Sequence, residues 1–402
     1  MRTAIAVLLL VATSLAQASH KRTTEAWVDP YTGGDAARVA AAGYVGYGPF
    51  AIDDDHGSRD IDRLLGATSL LWLETAHFKL GLRLPEYRIP TANRTERDKL
   101  RAELSDLRQR MPDVDVATRS LDPWLRLHLT ALRLEGAYAA FEKLVEPVDP
   151  ASATASSQAD LEGGGRGVGA WLGKDDKFVV LVFATRSDLA RYAVDHLGRA
   201  LQTPQREDLG ALQGMLFVTA LDCDPDLTGD TGLHCHLVYA VVENMVAAYR
   251  GHRFDLPAWI ESGLAQSFAL AIDPQHPNFD RGRLRSIDPR PRGDLSLRVR
   301  SLVEKRLAAP FSQIAGQRDV ARFTLDDFVF AWSRITWLRS LGDDRFAHFM
   351  ALMKAPLPTN LSRSVQDLVI ERQATALREA FGITGCEDLD RKWTAWVLAR
   401  RS

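Results

Sequence analysis

Three cysteines in 402 residues are too few for a disulfide-built scaffold, so the fold has to rest on a packed apolar core. An excess of charge of either sign is also missing. Fifty Lys and Arg stand against 52 Asp and Glu, a formal net charge of −2, which gives no reason to expect a nucleic-acid partner. The arginines between Arg281 and Arg300 are broken up by Pro, Asp and Gly and read as a solvated loop. Beyond the first residues no apolar run is long enough for a membrane helix. Gly163-Gly164-Gly165 does not follow a strand in a G-x-G-x-x-G pattern, which argues against a nucleotide site. Ser262 lacks the G-x-S-x-G turn of a hydrolase. The acidic runs at Asp53-Asp54-Asp55 and Asp222, Asp224, Asp226 lack the Gly and Glu of an EF-hand loop and read as solvated loops.

What is present begins with Met1-Arg2, an apolar stretch from Ala4 to Ala16, and Ala16-Gln17-Ala18. One positive charge, a short apolar region and an A-x-A site read as a signal peptide over residues 1–18. A mature chain from Ser19 is then expected outside the cytoplasm, periplasmic or secreted, with no membrane span after cleavage. Hydrophobic and charged contents of 46% and 25% are those of a globular protein. Four regions are expected: an N-terminal region over 19–150, a Ser/Gly-rich linker over 151–167, a core over 168–295 and a helical part over 296–402.

Leu71–Leu82 reads as a strand, followed by helices from Thr95 to Met111 and from Pro123 to Val145. The second has a broad apolar stripe through Leu125, Leu129, Leu132 and Tyr138. Lys177–Phe183 is a short continuous apolar run and predicts a buried strand, and Met215–Leu221 predicts another strand. Ser187 is placed to cap a helix ending near His196. A helix is expected over His234–Arg250, another from Pro257, and mostly helix from Leu297 onward. His77 reads as a structural strand histidine. Asn93-Arg94-Thr95 and Asn360-Leu361-Ser362 match glycosylation acceptors, relevant only in a eukaryotic source.

The helix over His234–Arg250 precedes Leu256-Pro257-Ala258-Trp259-Ile260-Glu261-Ser262-Gly263-Leu264-Ala265. That pairing resembles the core of gluzincin-type zinc peptidases of the peptidase-MA-like superfamily, where an HExxH helix is followed by LPxWLxEGLA. The similarity extends loosely over residues 170–400, through Phe328-Val329-Phe330-Ala331-Trp332 and Leu389–Val397. It implies an α+β fold with a zincin-like core: a small mixed sheet, an active-site-type helix and a mostly helical C-terminal part.

The residues that would hold zinc in such a protein are largely replaced. A catalytic zinc takes three protein ligands and a water. In one register His236, Leu237 and Ala240 occupy the HExxH positions; in the other, Tyr239, Ala240 and Glu243 do. Ser262 stands where the third ligand belongs. Glu261 is one place earlier, about 100° around a helix, and is expected to point elsewhere. A rearranged site would draw on His234, His236, Glu243 and Glu261, or His252, and needs His234 and Cys235 to lie in a turn before the helix. His236 and Glu243 share a helical face but lie ~10.5 Å apart along it, too far for one zinc. Otherwise they line a polar cleft and bond to separate neighbours.

Cys223 and Cys235 either close a small loop as a disulfide or remain two thiols, with Cys386 left over. With the signal peptide, the resemblance implies an exported pseudo-peptidase that needs no cofactor and either takes a peptide or protein segment in its cleft or plays a structural part. The alternative is an active zinc metallohydrolase with a rearranged site.

Overall fold

The computed structural model describes residues 28–145, 169–209, 214–250, 256–279, 294–354 and 364–400. Residues 1–18, expected as a signal peptide, residues 151–167, expected as a linker, His252 and Asn360-Leu361-Ser362 lie outside the described residues.

Two short helices come first, α1 (Ala36–Ala41) and α2 (Ser58–Leu65). The segment Leu71–Leu82 is not one strand but an antiparallel hairpin of β1 (Leu71–Glu74) and β2 (Phe78–Leu82). The chain reverses because Thr75 N–H donates to Phe78 O at 2.9 Å and Phe78 N–H donates to Thr75 Oγ1 at 3.1 Å. His77 is tied into the same turn by Glu135, which accepts its backbone N–H at 3.0 Å and bonds its ring at 2.6 Å.

A two-stranded ribbon of β3 (Tyr87–Arg88) and β4 (Ser120–Leu121) flanks α3 (Arg94–Arg110), and α4 (Pro123–Val145) follows with the expected bounds. Next come β5 (Phe178–Phe183), α5 (Arg186–His196), β6 (Gln205–Asp208) and β7 (Met215–Ala220). The cap of α5 is Thr185 rather than Ser187: its Oγ1 accepts Asp188 N–H at 3.1 Å and donates to Asp188 Oδ2 at 2.9 Å.

The main sheet has the order β1-β2-β5-β7-β6. The pairs β2–β5 and β5–β7 are parallel, and β1 and β6 are antiparallel edges. Both faces are covered, which is why β5 is apolar throughout and β7 is apolar at every position but Thr219. Phe178, Val180 and Val182 join the core built with α4, whereas Val179, Leu181 and Phe183 join a second core with Ile61, Leu189 and Tyr192.

On the first face lie α6 (Asp230–Arg250) and α7 (Ala258–Ile272). The C-terminal part is α8 (Leu295–Glu304), α9 (Phe311–Ala315), α10 (Leu325–Ser340), α11 (Asp343–Lys354), α12 (Val365–Phe381) and α13 (Cys386–Ala399). The architecture is thus a mixed α/β body with a small mixed sheet and a mostly helical C-terminal part. Helix α7 fits tightly against α10. A Cβ on Gly263 would lie 2.7 Å from Ala331 O and 2.8 Å from Ile335 Cγ1. Among the described residues no helix is long and apolar enough to cross a membrane.

The N-terminal segment is fastened to α4 by a buried carboxylate. Asp29 Oδ1 lies 3.1 Å from His128 Nε2, and Asp29 Oδ2 accepts from the Thr32 and Tyr47 hydroxyls. Burial alone would raise this carboxyl; the bonds from His128, Thr32 and Tyr47 outweigh it and hold the group well below the usual carboxylate range.

Candidate functional site

Helix α6 starts at Asp230, one turn earlier than expected, because that residue is drawn into a buried ion pair with Arg133 at 2.7 Å. His234, Cys235 and His236 therefore all lie inside the helix, and the turn that would let the two histidines meet does not exist. Their surroundings diverge. His234 Nδ1 sits 3.3 Å from Lys99 Nζ on α3. Burial, with the charges of Arg133 and Lys99, pushes its pKa well below the ordinary histidine value. His236 contacts β7 instead, with its ring 5.4 Å from that of Phe217, and its Nδ1 lies 3.3 Å from Asn278 Oδ1.

A cavity of about 510 Å³ opens between β6, α6 and α7. From α6 it receives His236, Tyr239, Ala240 and Glu243, all within one helical face. From α7 it receives Glu261, and Phe279 and the segment Arg318–Val320 close the far side. Glu261, expected to point away from the site, is turned the other way. Glu261 points into the cavity. Ser262 is buried against its own helix, donating to Ala258 O at 2.9 Å, so it presents no nucleophile.

The edge strand β6 supplies the residue that organises the site. Arg206 Nε is 3.0 Å from Glu243 Oε2, and its Nη2 is 2.5 Å from Glu261 Oε1. Both glutamates are nearly enclosed, with side-chain exposures of 6% and 12%. Desolvation by itself would lower the Arg206 pKa, but the two carboxylates outweigh it and keep the guanidinium charged. One arginine thus joins α6 to α7 through one carboxylate on each helix.

His236 is the neutral member of the cavity wall. Burial pulls its pKa down to about 4, partly opposed by the bond to Asn278. Asn278 is fixed in turn: its backbone N–H donates to Gln266 Oε1 at 3.1 Å and its Nδ2 to His276 O at 3.0 Å. With Nδ2 spent on a carbonyl, Oδ1 faces the ring, so the proton of His236 sits on Nδ1. Its Nε2 is then a lone-pair acceptor with no partner among the described residues.

These donors do not fit a catalytic zinc. His236 and Glu243 are seven residues apart on α6, ~10.5 Å along its axis. His234 turns toward α3, and both glutamates are engaged by Arg206. Among the described residues no three His, Cys, Asp or Glu side chains converge as a ligand set.

Cys223 and Cys235 are not joined as a disulfide. Cys235 is buried within α6, where burial pushes its thiol up to about 12, whereas Cys223 Sγ lies 3.7 Å from Gln202 O. The intervening loop is held by backbone bonding instead: Asp224 caps the turn over Pro225–Thr228, accepting Asp226 N–H at 2.9 Å. Of the other clusters, Asp222 accepts the Arg186 N–H at 2.7 Å and Asp55 pairs with His56 at 2.7 Å.

Sequence reading did not single out Arg206. Gln205–Asp208 is polar at all four positions and carries no apolar alternation that marks a strand. Comparison with family models, curated proteins and solved structures gives no match.

Proposed function

We propose that the chain is an exported, catalytically silent protein with a zincin-like core that binds a peptide or protein segment in the cleft between β6, α6 and α7. The observation that carries this is the ion pairing of Arg206 with both Glu243 and Glu261. In a zinc peptidase the active-site helix and the helix after it supply side chains to one cation. Here a guanidinium from the sheet edge takes up both carboxylates, and it offers neither the Lewis acidity nor the bound water of a metal. Peptide binding is supported by the position of β6. One side of this strand pairs with β7, it ends the sheet, and Pro204–Asp208 line the cavity. An edge strand beside a cleft suits an added strand held by backbone bonds.

The second reading, a zinc hydrolase with a rearranged site, draws on the placement of His236, Glu243 and Glu261 around one cavity. It requires Arg206 to release both glutamates. Metal analysis separates the two. Residues 19–402, purified without chelators or a His-tag, are expected to hold no stoichiometric zinc, even after incubation with the metal, and to retain members of an extended-peptide library. One zinc per chain, lost in His236→Ala, together with chelator-sensitive cleavage of peptides, establishes the hydrolase instead.

A further inference from the structure

We propose that the stacked imidazoles of His56 and His196 form an acid-sensitive latch, which holds the loop of residues 50–57 against the C-terminal end of α5 at neutral pH and releases it as the pair becomes charged.

The loop is folded around His56. His56 O accepts the N–H groups of Ile52 and Asp53 at 3.1 and 3.2 Å, and Ser58 N–H closes the base by donating to Phe50 O at 3.0 Å. The His56 ring then makes the contact with α5. It stacks on the His196 ring with centroids 4.1 Å apart and planes 16° apart, and meets Tyr192 edge-on at 5.8 Å. Both imidazoles are shielded from solvent, with side-chain exposures of 2% and 10%. Beyond the stack, Leu197 and Arg199 N–H both donate to Ala193 O, and Arg199 pairs with Glu207, the neighbour of Arg206 on β6. The latch therefore borders the strand that supplies Arg206.

The two rings differ in how they can hold a proton. His56 Nδ1 lies 2.7 Å from Asp55 Oδ1, and its Nε2 lies 3.2 Å from the Tyr192 hydroxyl, so both nitrogens are satisfied and a charge there is countered by Asp55. His196 Nε2 is enclosed without a hydrogen bond, with Asp195 Oδ2 3.5 Å away. A proton on His196 sits in an enclosed place beside a second imidazole, and two like charges at that separation repel.

The charged groups that face the pair are Asp55 in the loop, Asp60 on α2, Asp195 on α5 and, through Tyr192, Asp53. Lys79 holds the far end of the loop, donating from Nζ to Ala51 O at 2.8 Å. Burial, and after it the neighbouring His56, keep the His196 pKa below its usual 6.5, against the opposing pull of Asp195, Asp55 and Asp60. Opening the loop restores the usual value. The closed form is therefore favoured most above pH 6.5, and the advantage is lost as pH falls toward the lower native value.

Hydrogen exchange of the unaltered chain and of His196→Phe, followed by mass spectrometry from pH 7 to 5 and corrected for intrinsic rates, tests the latch. Phenylalanine keeps an aromatic ring in the stack and takes no proton. In the unaltered chain, protection of residues 50–57 and 193–199 is expected to fall by roughly five- to tenfold relative to β5. In His196→Phe it is expected to stay level. Protection that is independent of pH, or that falls equally in His196→Phe, overturns the latch. If the variant does not fold, histidine ring titrations of the unaltered protein by NMR decide. A His196 that titrates below 6.5, with the His56 resonance moving in the same step, supports the latch. Two independent titrations, or a His196 at its usual value, overturn it.

Discussion

Arg206 on the edge strand and Glu243 on α6 form a 3.0 Å ion pair that ties the rim of the sheet to the helix behind it. Glu261 on α7 shares the same guanidinium, so three elements distant in sequence meet at one charge. Removing that charge takes a buried cation away from both carboxylates. Arg206→Met is expected to destabilise the fold by about 3 kcal/mol, the range for breaking a buried pair from one side. Replacing the glutamates as well, in Arg206→Met/Glu243→Gln/Glu261→Gln, should recover most of the loss. Urea unfolding of the three proteins reads both effects; a neutral Arg206→Met shows that the ion pairs carry no stability.

Stability should fall with acid through the buried histidines. His236 titrates near 4 in the fold and at its usual value near 6.5 when unfolded. Between those values the unfolded chain binds a proton that the native one does not, so stability rises with pH across the window. The contribution is complete above pH 6.5 and is lost as pH falls toward 4, and it amounts to up to about 3 kcal/mol. His234 is shifted in the same direction and adds to the slope. Unfolding free energies measured from pH 4 to 7 should show a slope shallower by one proton in His236→Leu; an unchanged slope contradicts the burial of a neutral imidazole.

Gly263→Ala introduces a methyl against Ala331 O and Ile335, both on α10. Backbone cannot give way as a flexible side chain does, so a loss of about 1–3 kcal/mol is expected. The α7 shift that relieves the clash should also move Glu261 relative to Arg206. A thermal midpoint equal to that of the parent protein would show that α7 and α10 are less closely packed than described.

The chain should carry three titratable thiols under non-reducing conditions once denatured. In the native protein Cys235 should resist alkylation, since burial both shields it and holds its pKa near 12, while the partly exposed Cys223 and Cys386 react first. Mass spectrometry of the alkylated peptides distinguishes this from a Cys223–Cys235 disulfide, which would leave a single reactive thiol.

Much of the architecture is legible from local pattern. The bounds of α4 follow from its apolar stripe, the continuous apolar run of β5 announces a strand covered on both faces, and Met215–Leu221 announces β7. These signals survive folding because burial of an apolar face is what stabilises each element. The hairpin of β1 and β2 escapes notice because a polar turn at Thr75-Ala76-His77 hides inside an apolar stretch, and its bonds to Phe78 and Glu135 are set by geometry rather than composition.

The sequence by itself determined which residues could pack and which could carry charge: the apolar strands, the helix over His234–Arg250, and Trp259 and Gly263 on the helix that follows. Only the tertiary structure decided which charges meet. Arg206 belongs to a strand with no apolar signal, and it reaches Glu243 and Glu261 because antiparallel pairing with β7 lays it along the cavity. Likewise, Glu261 rather than Ser262 faces the cleft because the angle at which α7 packs on α6 and α10 sets its rotation. A one-residue step changes direction by about 100°, and no pattern along the chain specifies that angle.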